Sequence, residues 1–456
     1  MTDAVFRSKR VVCPDGTKAA TIHVRGGRIE RVSGYDDVAG PALVDAGATP
    51  IVPGFVDTHV HVNEPGRTEW EGFETATLAA AAGGITTLVD MPLNSIPPAT
   101  SRRGVAEKAA LTDGRIAVDV GLWGGAVPEN TTGRATGLRE LLDEGARGFK
   151  CFLVPSGVDE FPFVGTADVE AALTQLRGTG VSLMVHAELA EPIDAATAEL
   201  TRAGADPRAY ETYLRSRPPT AEDRAVQLLY DLAKKTGVPI HVVHLSSAGA
   251  LETLQRAKDE GVPLRAETAP HYLHFAAETI PAGATWYKCA PPIRERDNRE
   301  RLWEAMKKGL IDMIVSDHSP CLPALKRPDE GDFMAAWGGI AGVQFSVAAV
   351  WTEARARGFA LEDLVRWMSA APARHAALDG RKGAIVAGAD ADLVLFDPDG
   401  HTVVDEASIL HRHKLTPYDG ETLSGRVVAT YLRGEPVFES GRAATRRGLW
   451  LKGGVR

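Results

Sequence analysis

The central part of the chain alternates between two patterns of hydrophobic positions. Short apolar runs rich in β-branched residues are separated by segments with helical spacing, such as GFETATLAAAAGG and AEDRAVQLLYDLAKKTG. This alternation is typical of strand–helix units that build a parallel sheet. The eight apolar runs begin at Val52, Ile85, Ile116, Gly148, Val181, Pro239, Pro263 and Asp312. Eight strands with crossover helices predict an α/β fold, a closed TIM-like (β/α)₈ barrel.

The two ends of the chain have a different pattern, in which apolar and polar residues alternate and Gly or Asp marks the turns. Examples are AATIHVRGGRIERVSG near the start and GRVVATYLRGEPVFESG near the end. Strict alternation predicts short strands with one buried face. We therefore expect residues 1–52 and 384–456 to form one small β-sandwich domain beside a barrel of residues 53–383.

Composition narrows the class of protein. Of 456 residues, 44% are hydrophobic and 24% charged, which are ordinary values for a globular protein. The net charge of −9 does not favour a nucleic-acid partner. The four cysteines form no CxxC pair, and the N-terminal segment has no apolar signal-peptide core. We expect a cytoplasmic protein with no membrane partner that acts on a small molecule.

Side chains able to bind metals follow the ends of the predicted strands. The first run ends in DTHVH, and because alternate residues of a strand share a face, His59 and His61 point the same way. Singly, a histidine on an apolar strand is usually a packed core residue. In a barrel of this kind, however, the C-terminal strand ends form one rim that carries the chemistry. Four further strand ends bring Lys150, His186, His244 and Asp317 to that rim, and together the six side chains predict a metal centre.

Lys150 is the unexpected member of this set. It interrupts the otherwise uncharged segment GFKCFLVP, and an ammonium group beside two divalent cations would be strongly repelled. Reaction of the neutral amine with carbon dioxide would instead give a carbamate, an anion with two oxygens that can bridge two metal ions. Lys150 is therefore either modified in this way or does not belong to the site.

Several motifs give the chain a resemblance to the metal-dependent amidohydrolase superfamily, in the branch that hydrolyses cyclic amides. They are PGFVDTHVH, the strand-four lysine, HAE, HLSSA, SDHSP and GADADLVLFD, spread over nearly the whole chain. The resemblance implies that His59, His61 and Asp317 bind one divalent ion, that His186 and His244 bind the other, and that carboxylated Lys150 bridges both. Zinc is the first expectation, and cobalt, nickel, manganese or iron would also suit these ligands. No organic cofactor is implied.

The same resemblance implies a mechanism. Two cations can hold a bridging hydroxide and polarise a carbonyl group. The hydroxide attacks the amide carbon, while Asp317 accepts its proton and passes it to the departing ring nitrogen. A scaffold protein without activity would have gaps among the six positions, and a mononuclear deaminase would lack the lysine; neither feature is found.

Three groups within this branch compete. Dihydroorotases carry an arginine where this chain has Asn63, and dihydropyrimidinases or hydantoinases carry a tyrosine where it has Pro155. The segments HVHVNEPGRTEWEGFETAT, MPLNSIPP, KCAPPIR and SDHSPC are similar to the allantoinase family, from which Val154 is a small departure. This resemblance implies hydrolysis of allantoin to allantoate in purine degradation and a homotetramer. It also implies substrate contacts from Asn63 and from the backbone of Cys289 and Ser319.

Overall fold

A computed structural model of the protein describes residues 3–40, 42–133, 137–439, 441–443 and 446–454. Positions 1, 2, 41, 440, 444, 445, 455 and 456 of the predicted terminal domain lie outside these ranges. Among the residues described, no helix combines the length and apolar character that crossing a membrane requires.

Strands from both ends of the chain join one mixed sheet. The strands are β1 (Ala4–Cys13), β2 (Gly16–Arg25), β3 (Arg28–Gly34), β4 (Leu43–Asp45), β5 (Ile51–Pro53), β15 (Leu393–Val403), β16 (Thr422–Leu432), β17 (Glu435–Glu439) and β18 (Arg442–Ala443). Their order in the sheet is β18-β17-β16-β15-β5-β1-β2-β3, with β4 paired to β1. The link between the two ends of the chain is the antiparallel pair β15–β5, in which Leu393 lies opposite Pro53. The proposed domain boundaries themselves stay a prediction.

The central strands form the predicted barrel, and the α/β fold class is confirmed. All pairs between neighbouring barrel strands are parallel, and a bridge between Val60 and His318 joins the last strand region to the first. The third predicted strand is split at Trp123, whose backbone N–H donates to Asp90. The strands are β6 (Phe55–Val60), β7 (Ile85–Asp90), β8 (Asp119–Leu122), β9 (Gly124–Gly125), β10 (Phe149–Phe152), β11 (Leu183–His186), β12 (Ile240–Val242), β13 (Leu264–Thr268) and β14 (Met313–Ile314).

Helices connect the barrel strands. Two of them end as the sequence indicates, because Gly237 and Gly309 take the left-handed conformation that closes a helix. The helices are α1 (Phe73–Ala82), α2 (Arg102–Ala110), α3 (Pro128–Thr131), α4 (Leu138–Glu144), α5 (Thr166–Leu176), α6 (Ala190–Arg202), α7 (Tyr210–Ser216), α8 (Pro219–Thr236), α9 (Leu251–Asp259), α10 (Pro270–His274), α11 (Arg296–Lys308), α12 (Ser346–Ala356), α13 (Leu361–Val365) and α14 (Ala371–His375). Short 3₁₀ turns lie at Ala248–Ala250, Ala277–Thr279, Thr285–Tyr287 and Pro323–Lys326, and a π-helical turn at Arg366–Ala370.

The segment after β18 returns to the barrel rather than to the terminal sheet. Leu451 N–H donates to the carbonyl of Val120, and Gly448 N–H donates to that of Ile116. The side chain of Arg147 donates in turn to the Leu451 carbonyl. The end of the chain is thus fastened along the third barrel strand.

Candidate metal centre

The six predicted metal-binding side chains line one cavity at the C-terminal rim of the barrel. The cavity has a volume of about 280 Å³, and all six residues are buried. Parallel strands bring their carboxyl ends to the same edge, which is why residues so distant in sequence meet here. They are His59 in β6, His61 directly after it, Lys150 in β10, His186 at the end of β11, His244 after β12 and Asp317 after β14.

Within this set, His59, His61 and Asp317 are the most tightly grouped. Their potential ligand atoms all lie within 4.8 Å of one another. The carboxylate Oδ1 of Asp317 is 3.2 Å from Nε2 of His59 and 3.7 Å from Nε2 of His61. This spacing suits three ligands of a single cation.

The remaining members lie beside this group. The His244 ring centre is 5.4 Å from that of His59 and 4.7 Å from that of His186. Phe152 stacks on His186 at 4.8 Å, and Nζ of Lys150 lies 4.7 Å from the centre of the Phe152 ring. The residues assigned to the two ions therefore lie side by side in one cavity.

Unpartnered buried atoms test whether this set fits a cation. His59 Nε2, His61 Nδ1, His244 Nδ1 and Lys150 Nζ are buried and have no hydrogen-bond partner in the part of the chain described. Such atoms are costly in a protein interior unless a ligand, ion or water satisfies them. Imidazole nitrogens and carboxylates are ordinary ligands of divalent metals, so the residues present fit the metals that the sequence predicts.

Backbone conformation at two strand ends supports a functional role. His244 has φ of 39° and Asp317 has φ of 47°. These values lie in the left-handed region, which residues other than glycine adopt at an energetic cost, and such residues cluster at functional sites.

The electrostatics of the cavity follow from burial. Desolvation lowers the pKa of His59, His61, His186 and His244, so the rings are held in the neutral form that binds metals. Desolvation also lowers the pKa of Lys150 to about 8. Within the described ranges, Lys150 has no ion pair, so no carboxylate in contact stabilises its charge.

Two carboxylates that the sequence analysis left without a role contact two of the predicted ligand histidines. Glu267 Oε1 is 2.5 Å from Nδ1 of His59, and Glu188 Oε2 is 2.7 Å from Nε2 of His186. Glu188 also accepts a hydrogen bond from the Arg217 side chain. Glu188 belongs to the motif HAE, and Glu267 lies in the predicted seventh strand, but the sequence alone does not show which side chain each one contacts.

Asp57 is a third supporting residue that sequence reasoning missed. Its carboxylate accepts the backbone N–H of His59 at 3.1 Å and that of Ser316 at 3.1 Å. Burial raises the pKa of Asp57 to about 7. The contact ties the first strand to the segment that carries Asp317.

The predicted substrate contacts are placed unequally. Ser319 lines the cavity, and Cys289 is buried between the lining residues Lys288 and Ala290. Asn63 is fully buried, and its side-chain N–H donates to the carbonyl of Pro320 rather than facing the cavity. Substrate binding by these three residues stays a prediction.

Comparison with known proteins agrees with this geometry. Residues 51–437 match the model of the amidohydrolase family. The chain is 49% identical over 451 residues to a Streptomyces avermitilis protein named allantoinase, covering 98% of each chain. It is 46% identical over 404 residues to a probable allantoinase of Dictyostelium discoideum, covering 86% of this chain and 79% of that protein.

A solved structure is similar over the same length. The L-hydantoinase (dihydropyrimidinase) of Arthrobacter aurescens is 32% identical, with a TM-score of 0.93, and the match covers 99% of this chain and 100% of that one. The family match extends over most of the chain, and the curated relatives match nearly all of it. The chain belongs to the amidohydrolase family, whose members generally bind divalent metal ions.

Proposed function

We propose that the chain hydrolyses the hydantoin-ring amide of allantoin to allantoate, a step of purine degradation. The observation that carries this proposal is the 49% identity, over 98% of both chains, to a protein named allantoinase. The cavity supports it with polar groups of several kinds, including Asn94, Ser156, Ser319 and Lys288. A neutral ring rich in N–H and C=O groups needs such partners.

We further propose two zinc ions bridged by carboxylated Lys150. The buried, unpartnered Nζ of Lys150 supports the modification, in which the neutral amine forms an N–C bond to carbon dioxide and releases one proton. His59, His61 and Asp317 would hold one ion, and His186 and His244 the other. When bound, the ions would polarise the scissile carbonyl group and make a water molecule nucleophilic at neutral pH.

Side chains of the protein itself would transfer the proton and orient the histidine rings. The Asp317 carboxylate faces the cavity and can accept the proton of the attacking water. It can then donate that proton to the ring nitrogen as the C–N bond breaks, which leaves a free ureido nitrogen and a carboxylic acid. The acid ionises to the carboxylate and releases the second proton of the water to solvent. Glu267 and Glu188 keep the rings of His59 and His186 in position.

Hydantoin or dihydropyrimidine hydrolysis is the second candidate, and the similarity to a solved L-hydantoinase favours it. Against it stands Pro155, which lines the cavity at the position where the resemblance predicts a tyrosine hydroxyl. Dihydroorotate hydrolysis has weaker support, because Asn63 replaces the expected arginine and is turned toward Pro320.

Two further expectations concern the cellular location and the oligomeric state of the protein. The four free, buried cysteines support a reducing compartment, and we propose the cytoplasm. The resemblance supports a homotetramer, which light scattering on the purified protein would test.

The deciding experiment compares turnover of allantoin, hydantoin, 5,6-dihydrouracil and dihydroorotate by metal-loaded enzyme with bicarbonate present. We expect turnover of allantoin well above that of the other three. Lys150→Ala should abolish it, whereas Lys235→Ala, at an exposed helical lysine, should leave it unchanged. Preferential turnover of another ring would identify that ring as the substrate in place of allantoin. An active Lys150→Ala variant would refute the proposal that Lys150 bridges the two ions.

A further inference from the structure

A second histidine inside the barrel is connected to the metal centre. His241 lies in β12, three residues before His244, and it is 1% exposed. Its Nε2 is 2.9 Å from Oε2 of Glu267, whose other oxygen is 2.5 Å from Nδ1 of His59. One fully buried carboxylate therefore joins a predicted metal ligand to a histidine that lies outside the ligand set.

This arrangement fixes which nitrogen of each ring carries the proton. A carboxylate accepts hydrogen bonds, so both rings donate to Glu267, His59 through Nδ1 and His241 through Nε2. The Nε2 atom of His59 is then left with a free lone pair, and it lies 3.2 Å from Asp317 on the side of the cavity. The orientation of a ligand histidine is commonly set by such a contact to its second nitrogen.

His241 has no other polar role in the described part of the protein. Its Nδ1 has no hydrogen-bond partner, and its ring centre lies 4.1 Å from that of His375. The hydrogen bonds of the Glu267 side chain go to His59 and His241. Without His241, one oxygen of this carboxylate would be buried with no donor, a costly state that the side chain could escape by leaving His59.

The other half of the centre offers a comparison. There, Glu188 supports His186 and is itself held by the guanidinium of Arg217 at 3.0 Å. Each supporting carboxylate thus has a second donor, Arg217 in one case and His241 in the other. The parallel indicates that His241 is more than a space-filling residue.

We propose that His241 and Glu267 form a positioning pair that holds His59 in the orientation and tautomer needed to bind its cation. The proposal rests on the proposed function for the identity of that cation site. It assigns His241 an indirect role, because the ring is one carboxylate away from the ligand and contacts neither substrate nor ion. The site held by His186 and His244 does not depend on the pair.

Three variants separate positioning from packing. Glutamine places its amide N–H near the position of the histidine Nε2–H, so His241→Gln keeps the donor to Glu267. His241→Leu removes the donor and keeps a buried side chain. His23→Leu is the matched control, because His23 is a buried histidine in the terminal sheet that contacts Ser33.

The test is metal binding by demetallated full-length protein, titrated with zinc against a chelating indicator, with allantoin turnover measured in parallel. We expect His241→Leu to weaken one of two zinc sites by 10- to 100-fold and to lower kcat more than it raises KM, with the second site unchanged. His241→Gln should recover most of both losses. His23→Leu should match the wild-type protein.

Several results would overturn the proposal. They are two zinc sites of wild-type affinity in His241→Leu, equal weakening of both sites, or no recovery in His241→Gln. If His241→Leu fails to fold, Glu267→Gln and His241→Gln still decide, since the first should lose the same site and the second should keep it. A wild-type protein that binds two zinc ions but does not hydrolyse allantoin would refute the proposed substrate and leave the pair supported by the zinc titration alone.

Discussion

Lys150 is fully buried and His274 is partly buried, and the surroundings of these two basic side chains differ. Nζ of Lys150 has no hydrogen-bond partner among the described residues. His274 lies between two carboxylates, with Nδ1 3.2 Å from Glu353 and Nε2 2.7 Å from Glu421. Burial opposes charge on both side chains. At His274 the two carboxylates outweigh it and raise the pKa to about 9, whereas desolvation lowers the pKa of Lys150 to about 8.

The pair of contacts at His274 predicts a pH-dependent stability. The pKa in the folded state is about 9, compared with about 6.5 in an unfolded chain, so the charged ring stabilises the fold fully below pH 6.5. The contribution, of order 3 kcal/mol from this shift, is lost as the pH rises through 9. Arg357, which also contacts Glu353, keeps its charge throughout.

Urea unfolding of the wild type and of His274→Asn between pH 6 and 9.5 measures this effect. The two free energies of unfolding should converge as the pH rises. His401→Asn, at an exposed histidine, is the control and should follow the wild type. A constant difference between wild type and His274→Asn across the range would contradict the assignment.

Sequence reasoning at the residue scale found the six rim side chains, because residues at parallel strand ends can be read directly from the run boundaries. It did not find the partners behind them. Glu267 reaches His59 across the barrel, and that contact depends on the stagger of strands far apart in the chain. His241 is absent from the predicted ligand set, and its spacing from His244 gives no sign of a shared carboxylate.

At the scale of elements, the end of the first barrel strand is fastened by a buried ion pair. Lys108 Nζ is 2.7 Å from Asp90, and both side chains are fully buried. Asp90 accepts the backbone N–H of Val62, and Lys108 donates to the carbonyl of the same residue. Val62 directly follows His61, so helix α2 and strand β7 together set the position of a predicted ligand.

Asp90→Asn should therefore destabilise the protein, because it removes one charge of a buried pair and leaves the lysine uncompensated. The expected loss is about 3–5 kcal/mol in the free energy of unfolding. Asp90→Asn/Lys108→Met, which removes both charges, should recover much of it. A single variant as stable as the wild type, or a double variant no better than the single one, would show that the pair does not hold this strand end.

The elements themselves were largely predictable, and the exceptions have physical causes. Eight strands follow from apolar runs and their spacing, and Gly237 and Gly309 mark helix ends. The split of the third strand at Trp123 and the fastening of Leu451 to Val120 were not predicted. Both depend on hydrogen bonds between segments distant in sequence, which local periodicity does not record.

At the scale of the whole molecule, a buried charge cluster joins the terminal sheet to the base of the barrel. Lys382 Nζ lies 2.6 Å from Asp119, 2.9 Å from Asp390 and 2.6 Å from Asp392. By distance alone the three carboxylates could hold a cation. Lys382 is in contact with all three carboxylates, so the cluster is an internal salt bridge and not a metal site separate from the centre at the rim. Arg433 adds a contact to Asp119 at 2.7 Å.

Lys382→Met is the sharpest test of this junction. Burial alone would lower the pKa of Lys382, but the surrounding carboxylates raise it above its usual value, so the lysine is charged in the folded protein. Its removal leaves three buried carboxylates with too few cations, and we expect a loss of about 3–5 kcal/mol in the free energy of unfolding.

Asp119 begins strand β8, at the end of the barrel opposite the metal rim, so allantoin turnover per folded molecule should stay at the wild-type level. Lys235→Met, at an exposed lysine paired with Glu170, should cost no more than about 1 kcal/mol. Urea unfolding and turnover of the three proteins check both expectations. A loss in Lys382→Met as small as in this control would mean that the terminal sheet is held to the barrel by apolar packing alone. A drop in turnover without a loss of stability would mean that the cluster acts on the distant rim.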